Sequence, residues 1–159
     1  MTAVTLTPMR WFFALNENSP GFWDYVNLVQ VAVHTARKHT TLDPVCIYDG
    51  EENELTAWLQ AATVTVIRRT TFLSGITLQL CPIARGAFLR FEIPGICRER
   101  GWTDEFALYT DCDVMFQRDV VPLLRPLRPR FFAAAPESDQ TSSQMNSGVM
   151  LMNVPAWEG

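Results

Sequence analysis

The stretch FALYTDCDVMF, Phe106–Phe116, is an apolar run with the character of a buried strand that ends on two aspartates one residue apart. Its opening residues show no polar face, as in a strand covered on both sides. If strand geometry continues past Thr110, side chains two apart share a side, so the carboxylates of Asp111 and Asp113 converge while the Cys112 thiol faces away. Two unit charges roughly 4 Å apart at an effective dielectric of about 20 repel by about 4 kcal/mol. Intervening water, protonation of one acid or a bound cation relieves that repulsion, and a divalent cation relieves it best. The plainer alternative makes both aspartates turn formers, whose side chains bond their own backbone.

Upstream, MRWFFALNEN (Met9–Asn18) is a short apolar run breaking into polar residues, which predicts a first buried strand. A helix is expected over SPGFWDYVNLVQVAVHTARKH, with Ser19 as N-cap, Pro20 at its first position, and Phe22, Val26, Val29 and Val33 at helical spacing. PVCIYDG then reads as a second strand, EENELTAWLQAA as a second helix and VTVIRR as a third strand. This β-α-β-α-β alternation of strands without a polar face predicts an α/β fold with a mainly parallel sheet and helices on both sides. Ligands of such sheets sit beyond the carboxyl ends of the strands, where Asp111 and Asp113 fall.

The segment TTFLSGITLQLCP reads as loop, and IARGAFLRFEI as a helix that Pro94 should end or kink. Downstream of the aspartates come VVPLL, a proline-spaced connector, the strand FFAAAPE, a polar loop SDQTSSQMN and the apolar run GVMLMNV.

Composition narrows the function classes. With 159 residues, 48% hydrophobic and 19% charged, the chain fits one folded domain over residues 1–159. A net charge of −4 gives no basic footprint for nucleic acid, and RPLRPRFF and VIRRTTF are too short to supply one. No apolar run approaches the roughly 20 residues of a membrane span, and the first residues lack the features of a signal peptide, so a cytoplasmic location is expected. Cys46, Cys81, Cys97 and Cys112 have no paired spacing, and His34 and His39 sit together far from them, which argues against a zinc site and for reduced thiols.

Two enzyme classes end a strand on Asp-x-Asp. Haloacid-dehalogenase-like phosphatases need a lysine later in the chain, and the single lysine, Lys38, stands well upstream. In nucleotide-sugar-dependent glycosyltransferases the two acids hold Mn²⁺ or Mg²⁺, whose open coordination positions are filled by phosphates. FFALNENSPGFWDY, ARGAFLRFEIPGI, FALYTDCDVMF, RFFAAAPES and MNSGVMLMNVP, in that order, resemble the N-terminal two-thirds of the retaining glycosyltransferases of family 8, the group containing glycogenin and bacterial galactosyltransferases.

That resemblance implies a GT-A fold, a single Rossmann-like nucleotide-binding domain, and transfer of a hexose from a UDP-sugar to an acceptor hydroxyl with retention of configuration. It places Asp111 and Asp113 on the metal, and Ala14, Leu15, Asn16 and Asn18 around the uracil and ribose, although the family often has an acid where Asn16 stands. Cys112, between the two acids, is grouped by the same resemblance with the nucleotide-binding residues. Phe88–Phe91 match a motif whose basic residue, Arg90, reaches the donor; Arg85, about 140° away on a helix, cannot face the same site. Asn146, Ser147 and Gly148 match the strand start lining the sugar and acceptor side, Gly148 allowing close backbone approach. Asp139, in the preceding loop, reads as a solvated acid.

The family's His-x-x-Gly-x-x-Lys-Pro-Trp segment, which completes the metal site and grips the diphosphate, has no counterpart in these residues, nor has its Asp-Gln segment beside the reacting sugar. The resemblance thus leads to the expectation of an incomplete domain, with apolar surface left uncovered that favours self-association. The alternative function is a nucleotide-sugar-binding domain without turnover.

Overall fold

A computed structural model of the protein describes residues 8–71, 84–137 and 145–157. The expected alternation is present: β1 (Arg10–Asn16), α1 (Phe22–His39), β2 (Asp43–Asp49), α2 (Glu54–Ala61) and β3 (Thr65–Arg68). The helical stretch α3 (Ala84–Phe88), a 3₁₀ turn over Leu89–Glu92 and α4 (Ile93–Glu99) follow. Beyond them lie β4 (Phe106–Thr110), the short α5 (Val121–Leu124), β5 (Phe132–Pro136), β6 (Met145–Asn153) and a closing 3₁₀ turn over Val154–Trp157.

The six strands form one sheet in the order β3-β2-β1-β4-β6-β5. β1, β2, β3 and β4 run parallel, and β6 is inserted antiparallel between β4 and β5. The strand order therefore reverses at β1 and β4, and the parallel strands all point their carboxyl ends to one edge, where an open α/β sheet binds ligands.

Both faces are covered, and alternation along the strands sorts side chains between two cores. Trp11, Phe13, Leu15, Cys46, Tyr48 and Leu108 join Val29, Val33 and Ala36 of α1 on one face. Phe12, Ala14, Val45, Ile47, Ala107 and Tyr109 join Leu89, Ile93 and Ile96 on the other. Period-two alternation with apolar residues at both phases is why these strands read as continuous apolar runs.

Two local expectations are corrected. α1 starts at Phe22 behind Gly21, whose φ of 72° suits glycine, and no side chain caps it; Ser19 instead closes a turn, its carbonyl accepting from the Phe22 N–H at 3.1 Å. Pro94 neither ends nor kinks one long helix. It stands in the first turn of α4, where its missing N–H costs nothing, and the break is the 3₁₀ turn before it. β4 ends at Thr110 as expected, and beyond it the Thr110 hydroxyl, which accepts from Trp11 Nε1 at 2.8 Å, donates to the Asp111 carbonyl at 2.8 Å. The TTFLSGITLQLCP loop and Asp139 fall largely or wholly outside the described residues. Among those described, no helix is long and apolar enough to cross a membrane.

Candidate functional site

At the carboxyl edge of the sheet, the ends of β1 and β4 and the start of α3 enclose a cavity of about 160 Å³. Ala14, Leu15 and Asn16 form one wall, Gly86 and Ala87 another, Ser19, Phe22 and Tyr25 a third, and Tyr109, Asp111, Cys112 and Asp113 the fourth. Six of the residues picked out from sequence thus meet in one place, although Asn16 and Asp111 are 95 positions apart in the chain.

Asp111 is the most constrained. Its backbone N–H donates to the Gly148 carbonyl at 2.8 Å, and its Oδ1 accepts from the Tyr109 hydroxyl at 3.1 Å. Desolvation pushes its carboxyl above the ordinary value; the Tyr109 hydroxyl and the charge of Arg90 pull it back, and the charge of Asp113 raises it further. Asp113 is exposed. The Cys112 side chain joins the core on the α1 face, opposite Tyr109, and burial pushes its thiol up to about 12. The thiol does turn away from the carboxylates, as alternation requires, even though β4 itself has ended.

Gly148 explains how β6 approaches so closely. A Cβ there would lie 3.0 Å from Asp111 Oδ2 and 3.0 Å from Asn146 Oδ1. Asn146 uses that oxygen to accept from the Gly148 N–H at 2.9 Å, so this start of β6 lies against the Asp111 carboxylate while Asn146 and Ser147 stay exposed.

Arg90 is placed differently from the sequence expectation. It is buried, its Nε donates to the Ala87 carbonyl at 2.7 Å and its Nη1 to the Ser147 carbonyl at 2.5 Å, and its guanidinium lies 4.9 Å from the centroid of the Tyr109 ring. With Ser147 it lines a neighbouring apolar groove of about 410 Å³ instead of the cavity holding the aspartates. It ties α3 to β6 and stands behind Asp111 as a positive charge.

Asn16 is also committed. Its Nδ2 donates to Asp49 Oδ2 at 2.7 Å and its Oδ1 accepts from the Asn18 N–H at 2.8 Å, across the parallel register that pairs Asn16 with Asp49. The amide fixes the turn leaving β1 and leaves only its buried edge to the cavity. Asn18 is exposed and lines a separate polar cleft with Tyr48, Asp49 and Arg68.

Sequence reasoning missed Tyr109 and Gly86. The rule that placed Asp111 and Asp113 on one side also places Tyr109 there, two residues earlier. Gly86 faces the end of β1, where a Cβ would lie 3.5 Å from the Asn16 nitrogen, in ordinary contact.

Asp111 and Asp113 fit a divalent cation by the chemistry of the donor set. Among the described residues no group of three or more His, Cys, Asp and Glu side chains comes together. An ion would therefore take two carboxylates from the protein and complete its shell with water or phosphate oxygens, the usual arrangement for Mg²⁺.

No protein-family model matches this sequence, and no curated protein matches it. Solved structures do. The chain superposes on the glycosyltransferase GlyE of Streptococcus pneumoniae TIGR4 with a TM-score of 0.65 at 20% identity, over 96% of this chain and 35% of GlyE. On the galactosyltransferase LgtC, in complex with donor and acceptor sugar analogs, the TM-score is 0.68 at 18% identity, over 94% of this chain and 59% of LgtC. On mouse xyloside xylosyltransferase 1 it is 0.60 at 13% identity, over 95% and 68%. The chain spans about a third of the length of GlyE and under two-thirds of LgtC. Its fold is the GT-A fold of these glycosyltransferases.

Proposed function

We propose that this chain is the nucleotide-sugar-binding part of a retaining, family 8-like glycosyltransferase that passes a hexose from a UDP-sugar to an acceptor hydroxyl. The observation that carries the reading is the meeting of Asp111 and Asp113 with the carboxyl end of β1 in one cavity, with the β6 backbone pressed onto Asp111. Asp111 and Asp113 would hold Mn²⁺ or Mg²⁺, which would neutralise charge on the donor's diphosphate.

The remaining roles belong to the chain itself. Ala14, Leu15 and Asn16 form the wall against which the nucleoside lies. Tyr109 aims one Asp111 oxygen through its hydroxyl, and Gly148 fixes the Asp111 backbone. Arg90 acts as a positioning residue by holding the Ser147 carbonyl and so the register of the Asn146–Gly148 turn. In the reaction the bond from the anomeric carbon to the phosphate oxygen breaks and one to the acceptor oxygen forms on the same face, the leaving phosphate taking the acceptor hydroxyl's proton.

The test is calorimetric titration of UDP with and without Mn²⁺. Wild-type protein should show binding that depends on the metal, and Asp113→Ala, an exposed position whose loss leaves the core intact, should abolish that dependence. Equal UDP affinity in the two proteins would remove the assignment.

A further inference from the structure

The sequence between the aspartates and β5 contains PLLRPLRPRF (Pro122–Phe131), in which leucines and a phenylalanine recur every four residues between prolines and arginines. None of the roles above uses it. In the structure Leu123 is 62% exposed, Leu127 57% and Phe131 48%, while Leu124 packs against the core on the α1 face. Isolated exposed leucines are ordinary, but three large apolar groups exposed within nine residues of one surface segment are not.

The charges are equally biased. Residues 115–131 carry Arg118, Arg125, Arg128 and Arg130 against Asp119, a local charge of +3 in a chain of −4. Arg128 pairs with Glu105, and Arg118 and Arg130 are exposed. The Arg130 guanidinium lies 5.1 Å from the centroid of the Phe131 ring, so a cation and an aromatic face are presented together.

The segment is hydrogen-bonded at two points, both at one end of the sheet. Asp119 Oδ2 accepts from the hydroxyl of Thr41, just before β2, and Asn153 Nδ2 donates to the carbonyls of Pro129 and Arg130 at 3.1 Å each. Asn153 pairs with Phe106, the first residue of β4. The patch therefore sits at the amino edge of the sheet, opposite the cavity, and its prolines lower the ordering entropy that presenting it would otherwise cost.

We propose that this amino-edge patch docks the protein on the surface of an anionic lipid bilayer. Leucine and phenylalanine side chains enter the interface while arginines pair with lipid phosphates and carboxylates, the chemistry of a peripheral membrane contact. The positive patch on an otherwise acidic chain is the complementarity that selects this partner. Docked this way, the cavity of Asp111 and Asp113 faces away from the membrane.

Co-sedimentation of the full chain with vesicles of phosphatidylcholine alone, or mixed with phosphatidylserine, tests it. Binding is expected only with phosphatidylserine and should weaken with salt. Arg118→Ala with Arg130→Ala should lower the vesicle affinity about 30-fold, from roughly 1 kcal/mol per arginine near an anionic surface. Leu123→Glu with Leu127→Glu should abolish it, and the exposure of all four sites lets each variant keep the wild-type unfolding midpoint as a control. Equal pelleting with both vesicle types, affinity unchanged in either variant, or binding to a single-stranded RNA oligonucleotide as tight as to the phosphatidylserine vesicles would overturn the proposal.

Discussion

Gly148→Ala separates the close approach of β6 from general stability. The added methyl would lie 3.0 Å from Asp111 Oδ2 and 3.0 Å from Asn146 Oδ1, closer than carbon and oxygen normally sit, so one of the two side chains must give by a few tenths of an ångström. Gly148 has an ordinary backbone conformation for an L residue, so the substitution adds no φ strain. Overpacking costs about 1–3 kcal/mol in a rigid core. Here the obstacles are a carboxylate at a cavity wall and a surface amide, and the loss of glycine's unfolded-state freedom returns roughly 0.4–1 kcal/mol. The net change in unfolding free energy should therefore stay within about 1 kcal/mol. Metal binding should suffer more, because groups that orient a ligand typically matter about 10–100-fold in affinity. Calorimetric titration of UDP with Mn²⁺, paired with urea denaturation, reads both quantities. A variant that binds like wild type at unchanged stability would show that the Gly148 contact does not set the position of Asp111, and the argument from close approach would fail.

Two further outcomes follow from buried groups. Asn16→Ala leaves the Asn18 N–H and an Asp49 carboxylate oxygen without their amide partner, and should lower the unfolding free energy from urea denaturation by about 1–3 kcal/mol at unchanged m-value; a change below about 0.5 kcal/mol would refute the clamp. Burial raises the Cys46 thiol well above its ordinary value of 9.0, so that in the folded protein it stays neutral while the unfolded chain ionises. The sign is then fixed: this contribution to stability is fully present below about pH 9 and is lost as pH rises beyond it. Cys46→Ala should flatten the alkaline decline of the unfolding midpoint, and an identical decline in both proteins would count against it.

Much of the architecture could be read before any coordinates. Apolar runs at both phases of a strand require two covered faces, and the cores on either side of β1 bear this out with Trp11, Phe13 and Leu15 on one and Phe12 and Ala14 on the other. The failures were local. Ser19 looks like an N-cap because its chemistry suits one, but its N–H closes the turn that starts at Asn16 and its carbonyl accepts from Phe22, while Gly21 takes the left-handed position. Pro94 marks a boundary in either direction, since proline is tolerated in a first turn and excluded only from an interior. Arg90 was expected to reach the donor, yet a basic side chain beside the site can still be taken up by a carbonyl. That carbonyl belongs to Ser147, 57 residues away.

The sequence by itself determined the alternation of strands and helices and the placement of Asp111 and Asp113 at a strand end, because hydrophobic period and side-chain chemistry are local properties of the chain. The antiparallel insertion of β6 between β4 and β5 was decided only in the tertiary structure, and with it the contact of Gly148 with Asp111 and the burial of Arg90 under Ser147. Strand pairing is a choice among distant partners. No local pattern in MNSGVMLMN states which neighbour its backbone hydrogen bonds will find.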